Sequence, residues 1–244
     1  MRKRLVVMVI NMPYFDDAQY LFEERHHEMR DFLNRFHELS MTNPNILDRN
    51  SFIIIRSNIL LMQYNVIESS FLELYKIFYN FLKNSTLSLD DLNKSFSYHM
   101  YSIIKRSAKH KHEKIKTRLN TANSNLNFSN CAMSLCFDLD DEEKKFLVNG
   151  NLDGRKIKDF FQQFGINIST LDDLDLSPLK TLKDHRQLLA HGGSSFSAVG
   201  KEVSWETLIS NSQLIENLFN NAKMALVNFC NELSTQMNPI AQSA

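Results

Sequence analysis

The sequence predicts an all-α protein, a bundle of a few long helices joined by short turns. Three observations carry that prediction. Only six Gly and four Pro are spread over 244 residues, against eighteen Phe, so turn residues are too few for many short strands. Apolar residues recur at three- and four-residue spacing along several long stretches, the period of a helical stripe. The 43% hydrophobic content is enough to bury one substantial core. The expected organisation is a single domain over residues 1–235, with an insertion at 84–148 and a frayed tail at 236–244.

The first helix is expected over residues 14–40, where Phe22, Met29, Phe32, Phe36 and Leu39 keep helical spacing among charged residues. The TNPN run at 42–45 ends it, because Pro44 disfavours helical geometry at Asn43. A second helix then starts near Asp48 or Ser51 and runs to about Lys83. It is apolar on nearly every side, interrupted by Arg56, Asn58, Gln63, Asn65, Glu68 and Glu73, the mark of a central helix with most of its surface covered. Asn58, Asn65 and Glu68 lie close to one stripe and read either as interhelical hydrogen bonds or as a polar floor beneath a site.

Residues 84–148 change character. NSTLSLDD offers a turn and an N-cap, and Leu92, Phe96, Met100, Ile103 and Ile104 suggest a helix running into KRSAKHKHEKIKTR. That run carries Lys105, Arg106, Lys109, Lys111 and Lys114 with little acid to offset them. It reads as a phosphate-binding surface or, equally, as a solvated face beside an acidic partner such as DLDDEE at 138–143. His110 and His112 stand two apart, point to different helix faces and lack a third ligand, so they are not a metal site. TANSNLNFSN (121–130) is a polar loop, and CAMSLCF (131–137) is apolar and of open type.

LDGRKIKDFFQQFGI (152–166) predicts a short helix closed by Gly165. In the next helix Leu179, Leu182, Arg186 and Leu189 share one stripe, while Asp184, Gln187 and His191 form its neighbour. Gly192 and Gly193 supply the permissive backbone of a helix end and leave His191 in the last turn, where unpaired carbonyls favour the imidazolium form. SSFSAVG is expected to be a tight connection. VSWETLISNSQLIENLFNNAKMALVNFCNEL (203–233) follows as a long amphipathic helix, with Ser204 as N-cap and Trp205, Leu208, Ile215, Leu218, Phe219, Ala222, Leu226 and Phe229 as its core stripe.

Several chemistries find no foothold. The 28 basic and 28 acidic residues cancel, so nucleic-acid affinity must come from local patches. Cys131, Cys136 and Cys230 make an odd count without a C-x-x-C pair, which argues for a reduced, cytoplasmic protein without a disulfide framework or zinc site. The Leu5–Ile10 run is shorter than a signal-peptide core, and no run approaches the ~20 apolar residues of a membrane helix. Gly-rich phosphate loops, H-E-x-x-H, G-x-S-x-G and acidic metal clusters are missing from the sequence, so no cofactor or metal is expected. Ser194 and Ser195 follow His191, yet serines after a helix stop are ordinarily loop formers.

What remains is Arg186 and His191, five residues apart at the end of a helix. Taken alone, such a pair is ordinarily structural. The R-x4-H spacing resembles the motif of ribonucleases in the HEPN (higher eukaryote and prokaryote nucleotide-binding) superfamily, which carry R-x4-6-H late in a helical bundle. The resemblance extends to the bacterial HEPN-like nuclease branch through GNLDGRKIKDFFQQFGI (150–166), AHGGSSFSAVG (190–200) and the upstream LMQYNVIESSFLELYKIFY (61–79). Together these cover most of residues 50–235. The departure is Gln187, where such nucleases usually carry Asn or Asp beside the arginine. Gly193 stands where the toxin subgroup silenced by nucleotide transfer has the Tyr of R-x4-H-x-Y.

The resemblance implies a HEPN-like bundle with an antiparallel four-helix core and an inserted helical or loop region. It implies a metal-independent endoribonuclease in which His191 moves protons, Arg186 grips the scissile phosphate, and Glu68, Asp184, His185 and Gln187 support them. Implied partners are RNA, bound in part by Lys105, Arg106, Lys109, Lys111 and Lys114, a second copy of the chain that completes a composite cleft, and a neutralising antitoxin or defence-system protein. The rival from another class is a non-catalytic helical interaction module binding a protein or nucleotide, in which Arg186 and His191 are a structural pair.

Overall fold

A computed structural model describes residues 14–84 and 151–237. These form seven helices and, among the described residues, no strand: α1 (Tyr14–Thr42), α2 (Arg49–Asn84), α3 (Gly154–Gln163), α4 (Ser169–Asp172), α5 (Ser177–Ala190), α6 (Phe196–Glu202) and α7 (Trp205–Met237). The basic run containing Lys105, Arg106, Lys109, Lys111 and Lys114 lies outside the described residues, as does most of the expected insertion. No described helix is long and apolar enough to cross a membrane.

The chain turns where its sequence changes chemistry. After α1 the Ile46 N–H bonds the Asn43 carbonyl, and Asp48 caps α2 by accepting from the Ser51 N–H at 2.8 Å. α3 is capped by Asp153 and closed by Gly165 at φ 67°, with the Ile166 N–H reaching back to the Phe161 carbonyl. Ser204 caps α7 through the Thr207 N–H at 3.1 Å.

Cross-chain pairs give the directions. Phe22 stacks on Phe219 at 4.0 Å, His26 meets Ser212 and His37 meets Trp205, so α1 runs antiparallel to α7. Gln63 bonds the Leu208 carbonyl at 2.6 Å and Phe78 touches Phe229 farther along, so α2 and α7 run side by side in one direction. The short turn at 43–48 returns α2 antiparallel to α1, and α5 also packs on α2. α2 is thus the central element, and Ile59, Leu60, Tyr64, Phe71, Leu74, Tyr75 and Phe78 are buried along it. Each such side chain contributes about 1.5–3 kcal/mol by leaving water. α3 closes one end of this core through Phe160, stacked 3.8 Å from Tyr75, and Phe164, edge-on to Phe78.

Two expectations are corrected. SSFSAVG is largely helical: Ser195 caps α6 by accepting from the Ala198 N–H, and Gly200 lets α6 lie so close to α2 that a Cβ there would overlap the Ile53 carbonyl oxygen. The polar stripe of α2 also divides. Asn58 bonds the Ile54 carbonyl of its own helix and Asn65 is exposed, so neither bridges helices, and the buried interhelical bonds belong to Gln63 with Leu208 and Asn211.

Candidate active site

The site is built at the C-terminal end of α5. Leu179, Leu182 and Leu189 are buried against the core, and this anchoring fixes where the polar residues between them point. Gly192 takes φ 68°, a left-handed conformation suited to glycine, and lets the Gly193 N–H bond the Leu188 carbonyl at 2.8 Å. His191 is the C-cap, one residue beyond the last turn. The carbonyls of Gln187, Leu188 and Leu189 accept from the main-chain N–H groups of His191, Gly193 and Gly192. They are therefore not the open carbonyls expected from the sequence. The exposed imidazole lines an open depression of about 410 Å³ together with Asp184, Gln187, Leu188 and Gly193.

Arg186 turns the other way, onto α2. Its Nη2 lies 4.0 Å from Glu68 Oε2, and its Cζ lies 5.4 Å from the centre of the Tyr64 ring. At 4.0 Å the carboxylate attracts the guanidinium without a directed hydrogen bond, while the ring offers its electron-rich face. Tyr64 is fully buried and its hydroxyl accepts the Leu152 N–H at 3.0 Å. Burial, reinforced by the nearby Glu68 carboxylate, pushes its phenol up to about 12, so the ring stays neutral.

Three consecutive residues, Asn151 to Asp153, fasten α5 to this floor. Asn151 Oδ1 accepts from Gln187, Leu152 holds the Tyr64 hydroxyl, and Asp153 Oδ2 lies 2.7 Å from Lys183 Nζ. Burial alone raises the Asp153 carboxyl, but Lys183 and the Lys156 N–H outweigh it and hold the group below the ordinary carboxylate range. On the far side of α5, His185 Nε2 meets Glu202 Oε2 of α6 at 3.2 Å, and its Nδ1 is buried without a hydrogen-bond partner. The structure thus brings Glu68 to Arg186, sets Asp184, Gln187 and His191 around one depression, and sends His185 to α6.

A family model for the MAE_28990-like HEPN family matches residues 21–234. The chain belongs to the HEPN superfamily. No curated protein and no solved structure gives a significant match.

Sequence reasoning missed four residues of this HEPN domain that hold the site together: Tyr64, Asn151, Asp153 and Lys183. Tyr64 was within reach, since it sits four residues before Glu68 and shares its helical face. Asp153, just before an amphipathic run, carries an N-cap signal. Asn151 and Lys183 gave no signal, because their roles depend on long-range placement. Among the described residues, no three His, Cys, Asp or Glu side chains converge as metal ligands would.

Proposed function

We propose that this HEPN protein is an endoribonuclease that cleaves RNA by attack of a ribose 2′-hydroxyl on the adjacent phosphorus, without a metal ion, as a cytoplasmic toxin or anti-phage effector. The observation that carries the reading is the placement of Arg186 and His191 on opposite sides of one helix end. The arginine lies over the Tyr64 ring with the Glu68 carboxylate nearby, and the histidine is exposed beside an open depression. In the reaction the 2′-oxygen bonds phosphorus as its proton passes to an imidazole. The bond to the 5′-oxygen breaks as a second imidazole donates a proton to it, leaving a 2′,3′-cyclic phosphate and a 5′-hydroxyl. Arg186 neutralises charge growing on the phosphate oxygens.

One chain supplies one such histidine and one such arginine, so the working unit is a homodimer whose isologous interface pairs two motifs in a composite cleft. The basic run with Lys105, Arg106, Lys109, Lys111 and Lys114 adds sequence-independent phosphate contacts. A neutralising antitoxin or defence-system partner keeps the activity in check.

The test is cleavage of total RNA in EDTA beside His191→Ala. The exposed imidazole leaves folding intact when removed, while loss of the proton-transfer group costs about 100-fold to 10,000-fold in rate. An active His191→Ala chain, or cleavage that needs magnesium, overturns the reading. The bond from Gln187 to Asn151 favours one second reading, a structural cluster in a non-catalytic interaction module; that reading stands if the wild-type dimer binds RNA and leaves it whole.

A further inference from the structure

We infer that Tyr64 is a positioning residue for Arg186: its buried ring holds the guanidinium over its face, where the cation can still meet a phosphate. The consequence for rate rests on the ribonuclease reading, whereas the contact with the ring rests on geometry alone. Two groups approach the guanidinium from α2, and they differ in what they can fix. The Glu68 oxygen, at 4.0 Å, is beyond hydrogen-bond distance and imposes no orientation. The ring, with Cζ above it 5.4 Å from its centroid, presents its electron-rich face to the cation. A cation held over the ring face is attracted to it and keeps N–H donors that can grip phosphate oxygens.

The ring itself cannot drift. Tyr64 is wholly buried in α2, and its hydroxyl is tied to the main chain at Leu152, the residue between the two that clasp α5. The Arg186 side chain stays 27% exposed, so part of it reaches solvent beyond the ring. Without the ring the guanidinium is free to close on Glu68, one helical turn away from position 64, and an incoming phosphate must then compete with a carboxylate.

The experiment compares Tyr64→Phe and Tyr64→Leu in the full chain, with folding of each checked by urea unfolding. Phe keeps the ring and strands the Leu152 N–H, and Leu removes the ring. The first readout is the Nε–Hε proton resonance of Arg186, assigned by its loss in Arg186→Lys; the second is kcat and KM on an RNA oligonucleotide. The resonance should be shifted upfield by the ring in wild type and in Tyr64→Phe, and should lose that shift in Tyr64→Leu. The kcat/KM should fall about 2-fold to 30-fold in Tyr64→Leu, the range of a cation–π contact, and stay near wild type in Tyr64→Phe. An unshifted wild-type resonance overturns the inference. So does a folded Tyr64→Leu chain with wild-type kcat/KM, or a Tyr64→Phe chain as slow as Tyr64→Leu, which assigns the effect to the hydroxyl. If the wild-type chain leaves RNA intact, the ribonuclease reading falls while the resonance still decides the role of the ring.

Discussion

Replacing Asp153 by alanine removes two interactions whose sizes can be separated. Its Oδ1 caps α3 by accepting the Lys156 N–H at 3.0 Å, and its Oδ2 pairs with Lys183 Nζ at 2.7 Å. Losing a side-chain N-cap costs about 1 kcal/mol. Stripping the partner from a fully buried charge costs about 3–5 kcal/mol. Lys183 is 16% exposed and has the Asp184 carboxylate 3.8 Å away, which lowers that figure to about 2 kcal/mol. Asp153→Ala should therefore lose about 3 kcal/mol, a Tm drop of roughly 6–12 °C in a domain of this size. Asp153→Asn retains an oxygen for the cap and should lose only the ~2 kcal/mol of the pair. Adding Lys183→Met to Asp153→Asn should recover much of that loss, because no buried charge is then left without a partner. The effect has a pH signature. A carboxyl held below its ordinary 3.8 contributes fully above that value and loses its contribution as pH falls through the folded value. The gap between wild type and Asp153→Asn should thus be constant near neutrality and close only in strong acid. Urea unfolding followed by circular dichroism measures all of these, and an Asp153→Ala chain within about 0.5 kcal/mol of wild type, the range of ordinary surface changes, refutes the reasoning.

Two further perturbations test the packing of α2 and α1. Gly200→Ala forces a methyl into the Ile53 carbonyl and should cost about 1–3 kcal/mol as α6 lifts from α2; unchanged urea unfolding would mean the two helices separate easily. His26 is buried, with Nε2 3.1 Å from both the carbonyl and the hydroxyl of Ser212. Burial lowers its pKa below 6.5 with help from Arg30 and His27, against the opposing pull of Ser212 and Glu216. The unfolded chain therefore takes up the proton first on acidification, so stability is full above 6.5 and falls as pH drops toward the folded value. His26→Gln should flatten that slope, and an unchanged slope on either side of 6.5 would place the titration elsewhere.

Much of the fold was legible because helices announce themselves locally. The Pro44 break, the Asp48 start, the Gly165 stop and the Ser204 cap each depend on residues within one turn, and the α7 stripe from Leu208 to Phe229 is a period any helix must keep once one face is buried. The expectation for α6 failed for the opposite reason. SSFSAVG has the small residues of a loop, yet Gly200 is small because α6 presses against the Ile53 carbonyl, a demand set by a segment far away in the chain. Small residues mark turns and close helix contacts alike, and only the partner's position tells them apart.

The site was legible along α5 and not across it. Spacing alone places Arg186 on the stripe of Leu179, Leu182 and Leu189, and the structure turns it onto α2 accordingly. Spacing also separates it from His191, which looks out past the glycine turn. What a helical wheel cannot supply is the identity of the facing surface. By spacing Glu68 is one polar residue among several on α2, and only the resemblance singled it out; it is the neighbour of Arg186 through the register in which α5 packs there. That register is held by Asn151, Leu152 and Asp153, which grip Gln187, Tyr64 and Lys183 in turn. Gln187 thus has a structural use in this chain that is independent of chemistry, since its amide ties the helix end to the segment entering α3. A shorter Asn or Asp at the same position draws back from Asn151, so the residue beside the arginine and the clasp that positions α5 are fitted to each other.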